Sequence, residues 1–140
     1  MAVSGAGIKV LVVDDSLGIR LLARKLFRNL GYDVEVVEDG FEALEKLAAA
    51  PFDLAVIDWS MPKMSGLELL GRLRESDRFA KLPVLLVTAE EEPDQLLGAI
   101  KAGADSYMTK PYDAAKLKEK IDRIFEFRDQ RKNRPPVPDF

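Results

Sequence analysis

Asp14 and Asp15 close the apolar run 8–13, Asp58 closes the run 54–57, Thr88 follows 84–87, and Lys110-Pro111 follows 106–108. If those runs are neighbouring strands of one sheet, three carboxylates, a hydroxyl and an ammonium meet on one edge. Carboxylates gathered in a partly buried place repel one another, and a divalent cation that prefers hard oxygen relieves the repulsion. Mg²⁺ suits such a set, taking one or two carboxylates, a carbonyl oxygen, waters and a phosphate oxygen. Singly, each residue has an ordinary reading. Asp15 is a helix cap, Thr88 ends a strand, and Lys110-Pro111 makes a turn. Asp58 resists that treatment, because it stands at the lip of a buried strand with no obvious partner.

The remaining composition narrows the chemistry. There is no cysteine and no histidine, which excludes disulfides, zinc-thiolate sites, imidazole-based triads and a phosphohistidine carrier. A net charge of -3 offers no electrostatic case for nucleic acid. No apolar run approaches the ~20 residues that span a bilayer. The opening residues lack the basic start of a signal peptide, so a cytoplasmic protein is expected. A chain of 140 residues, 47% of them hydrophobic, holds one ordinary domain.

The elements that must position the five residues alternate regularly. Residues 8–13, rich in β-branched residues and nearly continuously apolar, read as a strand buried on both faces. Ile19, Leu22, Ala23, Leu26 and Leu30 then repeat at helical spacing up to Gly31, a helix stop. A second strand is expected over 33–37. Asp39-Gly-Phe-Glu42 and Ser65-Gly-Leu-Glu68 have capping-box spacing and open two further helices around the strand 54–57. A strand over 84–87, a helix from Pro93 to Gly103, a short strand over 106–108 and a last helix capped by Asp113 complete the series. Strand–helix alternation of this kind builds a parallel sheet covered on both faces. The residues alone leave an open doubly wound sheet or a fragment of a barrel, and the five units are too few for the eight-stranded barrel. In an open sheet the site lies at the carboxyl ends of the strands.

The segments Val-Leu-Val-Val-Asp-Asp-Ser, Ala-Val-Ile-Asp-Trp-Ser-Met-Pro-Lys-Met-Ser-Gly, Val-Thr-Ala and Tyr-Met-Thr-Lys-Pro, in this order, resemble the receiver domain of bacterial response regulators over residues 8–127. The resemblance implies a flavodoxin-like five-stranded parallel sheet in order 2-1-3-4-5. It implies Asp58 as phosphoacceptor, with Asp15, Asp58 and the Ser60 carbonyl as Mg²⁺ ligands and Asp14 acting through a metal-bound water. Thr88 and Lys110 would contact the phosphoryl oxygens. Thr88 and the aromatic Tyr107 would form the switch, and a cis peptide would join Lys110 to Pro111. The phosphoryl donor would be a sensor histidine kinase, a phosphotransfer protein or an acyl phosphate. The output would be a downstream protein bound through the face of the fourth helix, fifth strand and fifth helix. Self-phosphorylation and autodephosphorylation would be the only chemistry, so the chain is not expected to be an enzyme in its own right.

Residues 1–7 are expected to form an N-terminal segment and 128–140, rich in charge and proline, a flexible tail. A receiver fragment of a larger regulator would read in the same way. A small aspartyl-phosphate phosphatase is the main alternative. Such enzymes usually carry a second aspartate two residues after the nucleophile, where this chain has Ser60. A flavodoxin-like electron carrier would need a phosphate cradle after the first strand, where this chain is acidic.

Overall fold

A computed structural model describes residues 7–89 and 93–133 of the chain. Its elements run β1 (Lys9–Val13), α1 (Leu17–Asn29), β2 (Asp33–Val37), α2 (Gly40–Ala49), β3 (Leu54–Asp58), α3 (Gly66–Glu75), β4 (Val84–Thr88), α4 (Pro93–Ala102), β5 (Ser106–Thr109) and α5 (Ala114–Asn133). All strand pairs are parallel, and the order is β2-β1-β3-β4-β5. This is the open doubly wound sheet, not a piece of a barrel.

The strands alternate their side chains between two cores, as a pleat requires. Val10, Val12, Leu54, Val56, Leu85, Val87 and Met108 face Ala23 and Phe27 of α1 and Leu117, Ile121 and Ile124 of α5. Leu11, Val13, Ala55, Ile57, Val84 and Leu86 face Ala43 and Leu47 of α2, the α3 leucines and Ala99 of α4. Every residue of β3 and β4 is buried. That explains their continuous apolar reading, in contrast to the half-exposed edge strand β2.

The helix boundaries have local causes. Ser16 Oγ accepts from the Ile19 N–H at 3.3 Å, Asp39 Oδ1 from Glu42 at 2.8 Å, Ser65 Oγ from Glu68 at 3.1 Å and Asp113 Oδ1 from Lys116 at 2.8 Å. Each satisfies an N–H that the helix start leaves without a partner. After α1 and α4 the chain turns through Gly31 (φ 91°) and Gly103 (φ 98°), a left-handed conformation that glycine adopts without a Cβ clash. One boundary departs from the sequence reading. The tail was expected to begin at Arg128, yet α5 continues to Asn133. The stretch Arg-Asp-Gln-Arg-Lys-Asn is polar but holds no helix breaker, and the first proline comes at Pro135. The expected segment 1–7, apart from Gly7, and the end of the tail, 134–140, lie outside the described residues.

Candidate functional site

Asp14 follows β1 directly, Asp58 ends β3, and Lys110 follows β5. The pleat fixes their side. Two residues before each comes Val12, Val56 or Met108, all members of the α1/α5 core. Alternation therefore sends all three polar side chains to the same side of the sheet edge. Thr88 and Tyr107 have the opposite parity. Tyr107 is in register with Leu86, and Thr88 with Thr109, so Thr88 and Tyr107 are diagonal neighbours on the α2/α3/α4 side, within mutual reach of long side chains.

The sheet edge gathers the three aspartates. One carboxylate oxygen each from Asp14, Asp15 and Asp58 lies within 4.8 Å of the others. Asp14 and Asp58 are buried, whereas Asp15 is exposed at the rim. Lys110 Nζ reaches Asp14 Oδ2 at 2.8 Å and Asp58 Oδ1 at 3.3 Å. Asp14 is held through all its polar atoms. Its N–H donates to Val37 O (3.1 Å), its carbonyl accepts from Arg20 Nη1 (2.8 Å), and Oδ1 accepts from the Ser16 N–H (2.9 Å).

One ammonium does not balance this charge. Burial first, and the Asp14 carboxylate next, push the Asp58 carboxyl up to about 6, against the pull of Lys110. Burial disfavours the Lys110 ammonium, but the hydrogen bond to Asp14 and the charges of Asp58 and Asp14 outweigh it and raise its pKa. The site is thus short of positive charge and rich in hard oxygen, which is the donor set a magnesium ion fits. The exposed Ser60 follows two residues beyond Asp58 along the chain.

The loop after β3 is tightly built. Trp59 N–H donates to Val87 O at 2.7 Å, and Gly66 N–H to Trp59 O at 2.8 Å. A Cβ on Gly66 would stand 2.2 Å from Asp58 O, so only glycine lets α3 start this close to the phosphoacceptor candidate. Met64 is buried against Gly40, where an added Cβ would meet its sulfur at 2.6 Å. Lys63 holds φ 68°, and its ammonium lies 3.7 Å from Asp39. The peptide between Lys110 and Pro111 is cis, and Lys110 N–H donates to Thr88 O at 2.7 Å.

Sequence reasoning missed Tyr112, Arg20, Lys63 and the close packing of Gly66. Tyr112 is buried in the α1/α5 core; burial, then Asp14 and Asp58, push its phenol up to about 12. Its place two residues after Lys110 was the only available signal. Arg20 lies on the first turn of α1, but no spacing announces a bond back to the Asp14 carbonyl.

A family model described as the response regulator receiver domain matches residues 10–122. A curated relative, the chemotaxis protein CheY of Pseudomonas aeruginosa, is 44% identical over 119 residues, 84% of this chain and 96% of the relative. Among solved structures, the Vibrio cholerae chemotaxis protein CheY4 superposes with a TM-score of 0.81 at 34% identity, covering 85% of this chain and 99% of that one. The receiver domain of a Pseudomonas aeruginosa sensor histidine kinase, with a magnesium ion coordinated in its active-site cleft, gives a TM-score of 0.78 at 25% identity over 86% of this chain and 99% of that one.

Proposed function

The chain belongs to the response regulator receiver family, whose members accept phosphoryl groups in two-component signalling, and from that premise we propose that the accepting group here is the carboxylate of Asp58. The observation that carries this is the single sheet edge on which Asp14, Asp15 and Asp58 come within 4.8 Å while Lys110 bridges two of them at 2.8 and 3.3 Å.

Asp15, Asp58 and the Ser60 carbonyl would hold Mg²⁺, with Asp14 reaching it through water. When bound, the ion would keep Asp58 ionised and neutralise charge on the incoming phosphoryl group. The rest falls to the protein. An Asp58 oxygen attacks phosphorus as the bond to the donor breaks, the donor being a phosphohistidine of a sensor kinase or phosphotransfer protein, or an acyl phosphate. Lys110 places its ammonium beside the attacked group, and the Thr88 hydroxyl donates to a phosphoryl oxygen. Such transfers need positioning and charge stabilisation more than covalent help. Water later cleaves the aspartyl phosphate and resets the protein. Steady turnover of an outside substrate is not part of this role.

Output follows from the parity of the strand ends. Thr88, drawn to the phosphoryl group, would leave space on the α4 side that Tyr107 can enter, changing the α4/β5/α5 face. That face carries exposed Leu96, Leu97 and Ile100 and a shallow cleft of about 350 Å³ bordered by Leu96, Ile100, Tyr107 and Lys120, which suits a downstream protein. Among the described residues no helix is long and apolar enough to cross a membrane, and a cytoplasmic site of action fits this role.

The test is intact-mass analysis after incubation with acetyl phosphate. A mass gain of one phosphoryl group is expected with Mg²⁺, none with chelator, and none in Asp58→Asn. A stoichiometric gain that persists in Asp58→Asn would overturn the assignment.

A further inference from the structure

Far from the acidic edge, one arginine ties together three segments that the phosphoryl site does not touch. Arg74, in the last turn of α3, donates from Nε and Nη2 to the carbonyl of Gly103 at 3.0 and 2.8 Å. Its Nη1 donates to Phe79 O at 3.1 Å, and Nη2 also reaches Asp105 Oδ2 at 3.2 Å. The same Asp105 oxygen accepts from the Val84 N–H at 2.8 Å, and Asp105 N–H donates to Val84 O at 2.9 Å. The planar guanidinium thus binds the turn after α4, the loop after α3 and, through Asp105, the start of β4. Its side chain is only 18% exposed, so these bonds are largely shielded from water and charge-assisted. Gly103 is shaped to this contact: with φ 98°, a Cβ there would stand 3.0 Å from Arg74 Nε.

Over 96–100, α4 is held lightly. Leu96, Leu97 and Ile100 are exposed, and Ala99 is the one buried residue among those of α4 whose side chains are described. Its middle rests on the residue next to the phosphoacceptor candidate: a Cβ at Gly98 would touch Trp59 Cη2 at 3.7 Å, and the Trp59 backbone is pinned to β4 and α3. A helix anchored firmly at one end and lightly packed through its middle opens most readily away from the anchor.

We propose that Arg74 is the positioning residue of α4: it fixes the carboxyl end of the helix at Gly103, so that rearrangement driven from Asp58 is confined to the amino-terminal part. The trigger rests on the phosphoacceptor reading above; the clamp itself does not. Lysine at this position would keep the charge but lose the fork that grips two carbonyls and a carboxylate at once.

The experiment is hydrogen exchange read by mass spectrometry on wild type, Arg74→Ala and Arg74→Lys, with and without acetyl phosphate and Mg²⁺, with Asp58 occupancy read by intact mass in the same samples. In wild type, amides 100–105 should exchange more slowly than 94–98, and within α4 and its turn phosphorylation should change 94–98 alone. Arg74→Ala should speed exchange of 100–105 by about tenfold or more and let the phosphorylation response spread into it, with Mg²⁺ affinity and the rate of Asp58 phosphorylation unchanged. Arg74→Lys should show part of the same loss. Should Arg74→Ala not fold, Arg74→Lys carries the comparison. Exchange of 100–105 as slow as wild type in the folded variants, or a wild-type response as large in 100–105 as in 94–98, overturns the proposal. If wild type gains no phosphoryl mass, the phosphoacceptor reading fails by itself, because the unphosphorylated comparison still decides the clamp.

Discussion

At the scale of single residues, the site is built to be uncomfortable without a cation, and that discomfort is measurable. The Asp58 carboxyl is pushed up to about 6 from its ordinary value of 3.8, by burial first and then by Asp14. A carboxyl whose folded pKa lies above its unfolded one destabilises the fold when ionised. The penalty is full above the folded pKa and vanishes as pH falls below the unfolded pKa. Asp58→Asn should therefore raise the stability of the metal-free protein by ~1–2 kcal/mol at pH 7, since each pKa unit is about 1.4 kcal/mol and water at the open edge screens part of it. The gain should shrink as pH drops from about 6 toward 4, and saturating Mg²⁺ should reverse it in favour of wild type. Urea unfolding across that range checks this, and a variant no more stable than wild type at pH 7 without metal would contradict it. Lys110→Ala should act in the opposite sense, because it leaves Asp14 and Asp58 facing each other without their ammonium. Loss of ~1–3 kcal/mol without metal is expected, with Mg²⁺ affinity no weaker than wild type because a competing cation is gone. A clear fall in affinity by titration would refute that division of roles. Asp58 could be singled out in the sequence because a carboxylate closing a wholly apolar run is hard to explain otherwise. Tyr112 could not, since the charges of Asp14 and Asp58 bear on its phenol only in the folded chain.

At the scale of elements, the strand ends sort the candidate residues by parity. Asp14, Asp58 and Lys110 fall on the α1/α5 side, while Thr88 and Tyr107 fall on the side of α2, α3 and α4. The candidate acceptor with its lysine and the proposed switch pair thus start from opposite faces of one edge, which an alternation count along each strand could have revealed. The caps at Asp39, Ser65 and Asp113 were legible because they are short-range devices. The end of α5 was not, because polar composition marks solvent exposure and does not by itself stop a helix; proline does, and it comes later. Gly66 shows a further limit. Its capping context was visible, but its distance from Asp58 O is a tertiary fact. Gly66→Ala should lower stability by ~1–3 kcal/mol through overpacking, and it should slow phosphorylation of Asp58 by displacing the carboxyl end of β3. Thermal unfolding beside a timed acetyl phosphate reaction tests both, and an unperturbed reaction rate in a folded variant would mean that α3 does not position the acceptor.

At the scale of the molecule, strand–helix alternation was enough for a doubly wound sheet, while the order β2-β1-β3-β4-β5 came with the family resemblance, because residues alone do not say on which side of β1 each crossover lands. That order makes β1 and β3 neighbours and so gathers Asp14, Asp15 and Asp58, whose separation along the chain hides the cluster. It also gives the lone tryptophan an unusual position. Trp59 follows Asp58, so the pleat turns its indole to the other face. There it is half-buried among residues of the α2/α3/α4 core and lies against α4 at Gly98. Its backbone is fixed by the bonds to Val87 and Gly66, so the ring should respond to changes of field at the acceptor and of α4 above it. Mg²⁺ should change Trp59 fluorescence, and acetyl phosphate should add a second change only when Mg²⁺ is present. Asp58→Asn should lose the second change, whereas Gly98→Ala, which brings ordinary contact with the ring, should keep it with altered amplitude. A phosphodonor response of equal size in wild type and Asp58→Asn would show that the indole does not report the aspartyl phosphate. A response untouched by Gly98→Ala would show that it reads the acceptor without sensing the helix.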